Sequence, residues 1–181
     1  MNETLSILIP AYNEAKTIHE ILDKVLQVKL LNDLQKEIVI VNDCSKDDTQ
    51  KVLQKYFESK TDIKYTLFEQ PYNQGKGAAI RKAIELATGD YIVIQDADLE
   101  YDPEEYNLLL KPLLSNVADV VYGSRFIGGK PHRILFFWHS IGNKWLTLLS
   151  NMFTNLNLTD METCYKIFRS SIIKKINLTE N

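Results

Sequence analysis

The sequence predicts an α/β fold in which a mostly parallel sheet carries helices on both faces. Three observations lead there. Short apolar runs rich in β-branched residues recur across residues 5–123. Segments of helical periodicity fill the gaps between them. At 181 residues the chain is long enough to bury one substantial core. In such a sheet, ligands bind at the carboxyl ends of the strands.

The first strand is read at "LSILIP" (5–10), and Ile18, Ile21, Leu22, Val25 and Leu26 then recur at helical spacing. "EIVIVND" (37–43) is the second strand, followed by a helical face on Val52, Leu53, Tyr56 and Phe57. Each helix should bury one side against the sheet. After the third strand, "IKYTLF" (63–68), comes the Ala-rich helix "GKGAAIRKAIELATGD", which Gly89 is expected to stop. "YIVIQD" (91–96) is the fourth strand. Asp102, Pro103 and Glu105 then supply a cap, a first-turn proline and an N3 glutamate for the helix "EEYNLLLKPLL". "ADVVYG" (118–123) is the fifth strand.

Beyond it the rhythm changes to a glycine-containing loop, "GSRFIGGKPHR", an apolar-rich segment (134–156) and "LTDMETCYKIFRSS". The final "IIKKINLTEN" begins like a helix and ends. Residues 1–181 read as one domain lacking C-terminal elements of a longer chain.

A formal net charge of −3 provides no overall field for nucleic acid, so no nucleic-acid partner is expected. Cys44 and Cys164 lie far apart without metal-ligand spacing, which speaks against a zinc site or a disulfide framework. The opening "MNETLSILIP" has neither a positive start nor a long apolar stretch, so the expected location is cytoplasmic.

A parallel sheet would bring four clusters to one edge: Pro10 to Glu14, Asn42 with Asp43, Asp96 to Asp98, and Gly123 to Arg125. Strand residues two apart face the same side at roughly 7 Å, so Asp96 and Asp98 can flank one divalent ion if the chain turns there. All-oxygen ligation suits Mg²⁺ or Mn²⁺, and such a metal at a sheet edge most often serves a phosphate-bearing substrate. The bland alternative is a solvated acidic loop, with Asp102 only a helix cap. "GKGAAI" (75–80) lacks the third glycine of a dinucleotide fingerprint, and no GxxxxGK[ST] occurs. The helix opening there can still turn its amides toward an anion.

"IPAYNE", "VNDCSKDDT", "NQGKGAAIRKAIELATGD", "QDADLEYDP", "GSRF" and "TDMETCYKIFR" together resemble the successive motifs of family 2 glycosyltransferases of GT-A fold. More narrowly, they are similar to dolichyl-phosphate and polyprenyl-phosphate sugar synthases. The resemblance implies an inverting transfer of a hexose from a nucleotide-diphosphate sugar, of the GDP-mannose or UDP-glucose type, to a lipid phosphate. It also implies that Pro10, Tyr12, Glu14, Val41 and Asp43 hold the nucleotide. Asp96, Ala97 and Asp98 would form the DxD element whose Mg²⁺ or Mn²⁺ binds the diphosphate. Glu100, a third metal candidate, stands where relatives often place glutamine. Arg125 would grip a phosphate with its fork, and Asp160 would orient the nucleophile or sugar, with a turn-fixing role as its alternative. Asp98, Arg125 and Asp160 are therefore the catalytic candidates. Cys164 reads as a small core residue.

Within 134–156, Ile134, Trp138, Ile141, Trp145, Leu148, Met152 and Leu156 share a helical stripe, widened by Phe137, Leu149 and Phe153. Polar interruptions argue against a membrane span. Two readings stand: an interfacial helix with Lys130, His132, Arg133 and Lys144 near headgroups, or a helix packed on its own core or in an oligomer contact. By the resemblance, His139, Asn143 and Lys144 are acceptor candidates, and the protein would sit peripherally on the cytoplasmic membrane face. Two other functions fit the same motifs: a soluble transferase extending a saccharide chain, and a non-catalytic nucleotide-binding module.

Overall fold

Strand β1 (Thr4–Ala11) is buried from Leu5 onward, and strand β2 (Gln35–Asn42) from Glu37 onward. Runs buried so continuously need an apolar layer on each face of the sheet. The computed structural model describes residues 3–58, 60, 62–126 and 137–179. Further strands are β3 (Lys64–Glu69), β4 (Tyr91–Ile94), β5 (Val120–Tyr122) and β6 (Lys166–Arg169). Among the described residues they form one sheet in the order β3-β2-β1-β4-β6-β5. β1 pairs in parallel with β2 and β4, and β2 with β3, whereas β6 runs antiparallel to both β4 and β5.

The two faces follow from the strand alternation. Leu5, Ile7 and Ile9 join Ile38 and Ile40 beneath helices α1 (Ile18–Gln27), α2 (Thr49–Glu58) and α4 (Tyr106–Leu114), through Ile21, Leu22, Leu53 and Leu110. Leu8, Val39 and Val41 point the other way, to Ala79, Ala83 and Ile84 of α3 (Lys76–Leu86) and to Ile173 of the short α6 (Ser170–Ile173). Each fully buried Leu or Ile contributes about 2 kcal/mol. The alanines of α3 let that helix lie close on the sheet.

Two expectations need correction. Gly89 does not end α3: the helix finishes at Leu86, with Ala87 already extended. Gly89 is instead where the chain passes β1, and an added Cβ would come within 2.6 Å of Ser6 Oγ and 2.7 Å of the Thr4 carbonyl. The sheet also has a sixth strand. β6 is only four residues long, with Ile167 and Phe168 buried on opposite faces, so it offers too little alternation to be read from sequence. It inserts between β4 and β5, yet β5 still runs in the same direction as β4, so its carboxyl end reaches the expected edge.

The opposite edge is pinned by a buried carboxylate. Glu37 accepts from Ser6 Oγ (2.5 Å), Thr88 N (2.7 Å), Thr88 Oγ1 (2.7 Å) and Gly89 N (3.2 Å), and pairs with Lys64 Nζ at 2.9 Å. Burial pushes its carboxyl up, but these hydrogen bonds together outweigh burial and bring it down to about 2. β1, β2 and the turn before β4 are thereby tied together.

Candidate active site at the carboxyl edge of the sheet

The strand order places β2 and β3 on one side of β1, and β4 on the other. Ligands of open α/β sheets settle at such a reversal, beyond the strand carboxyl ends. A pocket of about 340 Å³ lies there. Its wall takes Pro10 to Tyr12 and Glu14 from the end of β1, Asp43 from β2, Asn73, Gly75, Lys76 and Ala79 from the start of α3, and Asp96 to Asp98 from β4.

The loops after β1 and β2 are laced to each other. Asn13, in the left-handed region (φ 58°), donates from N to Ser45 Oγ at 3.0 Å and accepts from Lys46 N at 2.8 Å. Glu14 N donates to Thr49 Oγ1 (2.9 Å). This fixes the backbone that carries Tyr12, whose side chain stays partly exposed at the pocket. Asp43 fastens α3 to the sheet: its carboxylate accepts from Gln74 N (2.8 Å), Gly75 N (2.8 Å) and Gln70 Nε2 (2.9 Å). An aspartate so placed also faces the positive end of the helix dipole. Val41, expected to touch the nucleotide, is fully buried among the α3 contacts and lies outside the pocket wall.

The acidic loop turns sharply, as ligation by both aspartates requires. Leu99 adopts φ 64°, and Asp98 Oδ1 accepts from Glu100 N at 3.0 Å. Behind it the buried Gln95 is held on every side. Its Oε1 accepts from Tyr106 Oη (2.7 Å) and Tyr165 Oη (3.1 Å), while Nε2 donates to the carbonyls of Asp96 (3.1 Å) and Tyr101 (3.3 Å). The amide thus clamps both ends of the loop.

Asp96 is buried and pairs with Lys76 Nζ at 2.6 Å, and the same ammonium lies 3.7 Å from Cys164 Sγ. Burial would lower the Lys76 pKa, but the Asp96 partner outweighs it and holds the amine protonated. Burial, with Asp96 next to it, pushes the Cys164 thiol up, and the side chain is half-buried beside Lys76 rather than in the core as expected. The glycines of "GKGAAI" do not by themselves point to Lys76, which opens α3. The overlooked signal is a lysine in the first turn of a helix, where the dipole disfavours a cation unless an anion is close by.

Asp96 and Asp98 share the pocket wall and present hard oxygen donors, a set that suits Mg²⁺ or Mn²⁺. Among the described residues no group of three or more acidic, histidine or cysteine side chains is arranged to hold a metal. Diphosphate oxygens and water would have to complete the coordination shell. Glu100 is exposed, stands outside the pocket wall, and its charge acts on Arg125.

Arg125 and Asp160 come together rather than into the pocket wall. Nε and Nη2 of Arg125 each reach an Asp160 oxygen at 2.8 Å, and Arg125 N donates to Oδ2 at 3.0 Å. Asp160 is fully buried; burial raises its pKa, but the Arg125 hydrogen bonds prevail and lower it. The fork expected to grip phosphate is thus partly engaged by a carboxylate.

His139, Asn143 and Lys144 lie on helix α5 (Phe137–Thr154), with Lys144 Nζ 5.6 Å over the Phe126 ring. Thr147 Oγ1 accepts from Met161 N at 3.2 Å, and Asn151 bonds both N and O of Leu158. Trp138, Ile141, Trp145, Leu148, Met152 and Leu156 of the expected stripe remain exposed. Lys130, His132, Arg133 and Ile134 lie outside the described residues.

Residues 6–177 match the family described as "Glycosyl transferase family 2". The chain is 33% identical over 187 residues to a dolichyl-phosphate beta-glucosyltransferase of Trichomonas vaginalis, covering 98% of this chain and 56% of that one. A mannosyltransferase from Pyrobaculum calidifontis, solved with GDP-Man and Mn²⁺, is 28% identical with a TM-score of 0.58, covering 66% of this chain and 35% of that one. Glucosyl-3-phosphoglycerate synthase from Mycobacterium tuberculosis, solved with Mn²⁺ and UDP-Glc, gives a TM-score of 0.70 at 18% identity, covering 96% and 58%. The fold is GT-A, as expected. The chain spans about half the length of the curated relatives it matches.

Proposed function

The chain belongs to glycosyl transferase family 2, and from that membership we propose that it is the catalytic domain of an inverting hexosyltransferase. It moves a sugar from a nucleotide-diphosphate donor to a polyprenyl or dolichyl phosphate at the cytoplasmic face of a membrane. The observation that carries this reading is the single pocket wall joining Asp96 and Asp98 to the β1 and β2 loop ends at the strand reversal. The donor and acceptor classes are those in the names of its relatives.

In this reading Tyr12, Glu14 and Asp43 flank the nucleotide, with Pro10 and Ala97 shaping the wall. Asp96 and Asp98 hold Mg²⁺ or Mn²⁺, which when bound neutralises charge on the departing diphosphate. Lys76 adds a second cation to the same wall. Asp160 locks the Arg125 guanidinium in one orientation, leaving its remaining N–H groups to a phosphate oxygen. A lipid phosphate is anionic near neutral pH, so its oxygen attacks without a strong general base.

No helix among the described residues is long and apolar enough to cross a membrane. The exposed tryptophans and phenylalanines of α5 instead favour contact with a lipid surface, which would bring His139, Asn143 and Lys144 to headgroup level. The test is incubation with radiolabelled GDP-mannose or UDP-glucose, Mn²⁺ and polyprenyl phosphate in vesicles. Lipid-linked sugar is the expected product; its absence with every common donor contradicts the acceptor assignment.

A further inference from the structure

An ammonium at hydrogen-bond distance from a carboxylate oxygen occupies acceptor capacity that a divalent ion would use, and its charge opposes that of the ion. Lys76 Nζ stands 2.6 Å from Asp96 Oδ1. Asp96 keeps little of its side chain open, about 11%, so few approaches to that carboxylate remain. The lysine side chain is half exposed and has room to swing outward. Asp98 differs, since its Oδ1 takes the Glu100 N–H, a neutral donor.

We propose that Lys76 is a built-in competitor of the divalent ion: it neutralises Asp96 in the cation-free site and opposes the metal for that carboxylate, most directly at Oδ1. The inference rests on the metal role assigned above to Asp96 and Asp98. It extends that role, because the ion's affinity is then set by a residue that does not ligate it. It also accounts for how a carboxylate buried at a strand end is tolerated without metal, since an unpaired charge there would be strongly unfavourable. Competition at one oxygen makes the ion bind weakly by itself, and removing the ammonium removes the competitor. For charges near a protein surface such an interaction corresponds to about a tenfold or larger change in affinity.

The experiment is titration of the protein with Mn²⁺ alone, followed by electron paramagnetic resonance of the free ion, with thermal melts confirming that each variant is folded. Lys76→Met is expected to bind Mn²⁺ about tenfold more tightly than wild type. Lys76→Arg, which keeps the cation, should stay near wild type. Adding Asp96→Asn to Lys76→Met should abolish the gain. Unchanged or weaker Mn²⁺ binding by Lys76→Met overturns the proposal. Parallel titrations with GDP and UDP separate the two failures. If wild type takes up Mn²⁺ with a nucleotide but Lys76→Met shows no gain without one, only the Lys76 role falls. If no chain binds Mn²⁺ under either condition, the metal reading falls with it.

Discussion

Asp96 and Asp98 stand two residues apart, but their surroundings differ: one is buried beside an ammonium, and the other is exposed at the head of a left-handed turn. Their residue types and spacing were legible in the sequence. Lys76 was not, because nothing local says which anion a helix-opening lysine will meet. Asp98→Asn should weaken metal-dependent nucleotide binding by about tenfold or more, as loss of one charged ligand implies, which calorimetry with and without EDTA measures. Gln95 carries a separate expectation. Gln95→Leu strands the Tyr106 hydroxyl and two carbonyls, while Tyr165 Oη keeps its bond to the Asp102 carbonyl (2.7 Å), and should cost about 2–4 kcal/mol in urea unfolding. Tyr106→Phe, which removes a single donor, should cost about 1 kcal/mol. Arg125→Lys breaks a two-point grip on a buried carboxylate, so it should lower stability by about 3 kcal/mol as well as activity. A variant with full stability and lost activity would show that the guanidinium acts mainly on substrate.

At the scale of elements, apolar runs and helical spacing located β1 to β5 and the helices between them, since long buried faces leave a periodic signature. β6 escaped because four residues carry no period, and Gly89 was misassigned because its constraint comes from β1, far away in sequence. The Glu37 cluster joins the same segments and gives a pH dependence with a defined sign. Its folded carboxyl, near 2, lies below the ordinary glutamate value of about 4.3. The stabilisation is therefore complete above the ordinary value and is lost as pH falls through that window toward 2. Urea midpoints should drop as pH falls from about 4.3 toward about 2, and Glu37→Gln should flatten that drop while lowering stability near neutrality. For α5 the stripe was legible but its partner was not, because an apolar face looks the same whether lipid or protein covers it. Trp145→Glu should reduce co-flotation with anionic vesicles; unchanged flotation would assign the face to another contact.

Over the whole molecule, the order β3-β2-β1-β4-β6-β5 sets the location of the chemistry. It brings loop ends separated by almost ninety residues in the chain into one wall, from Pro10 through Asp98. The sequence motifs implied this convergence only through an assumed parallel sheet, and that sheet is present. The Arg125–Asp160 pairing, by contrast, depends on where β6 inserts and so could not be anticipated from spacing. The most direct test of the account is calorimetric titration of the protein with GDP-mannose and UDP-glucose in the presence of Mn²⁺. The account requires saturable binding of at least one donor, lost on adding EDTA and in Asp98→Asn. Binding that persists without metal and in Asp98→Asn, or no binding of either donor, would contradict it.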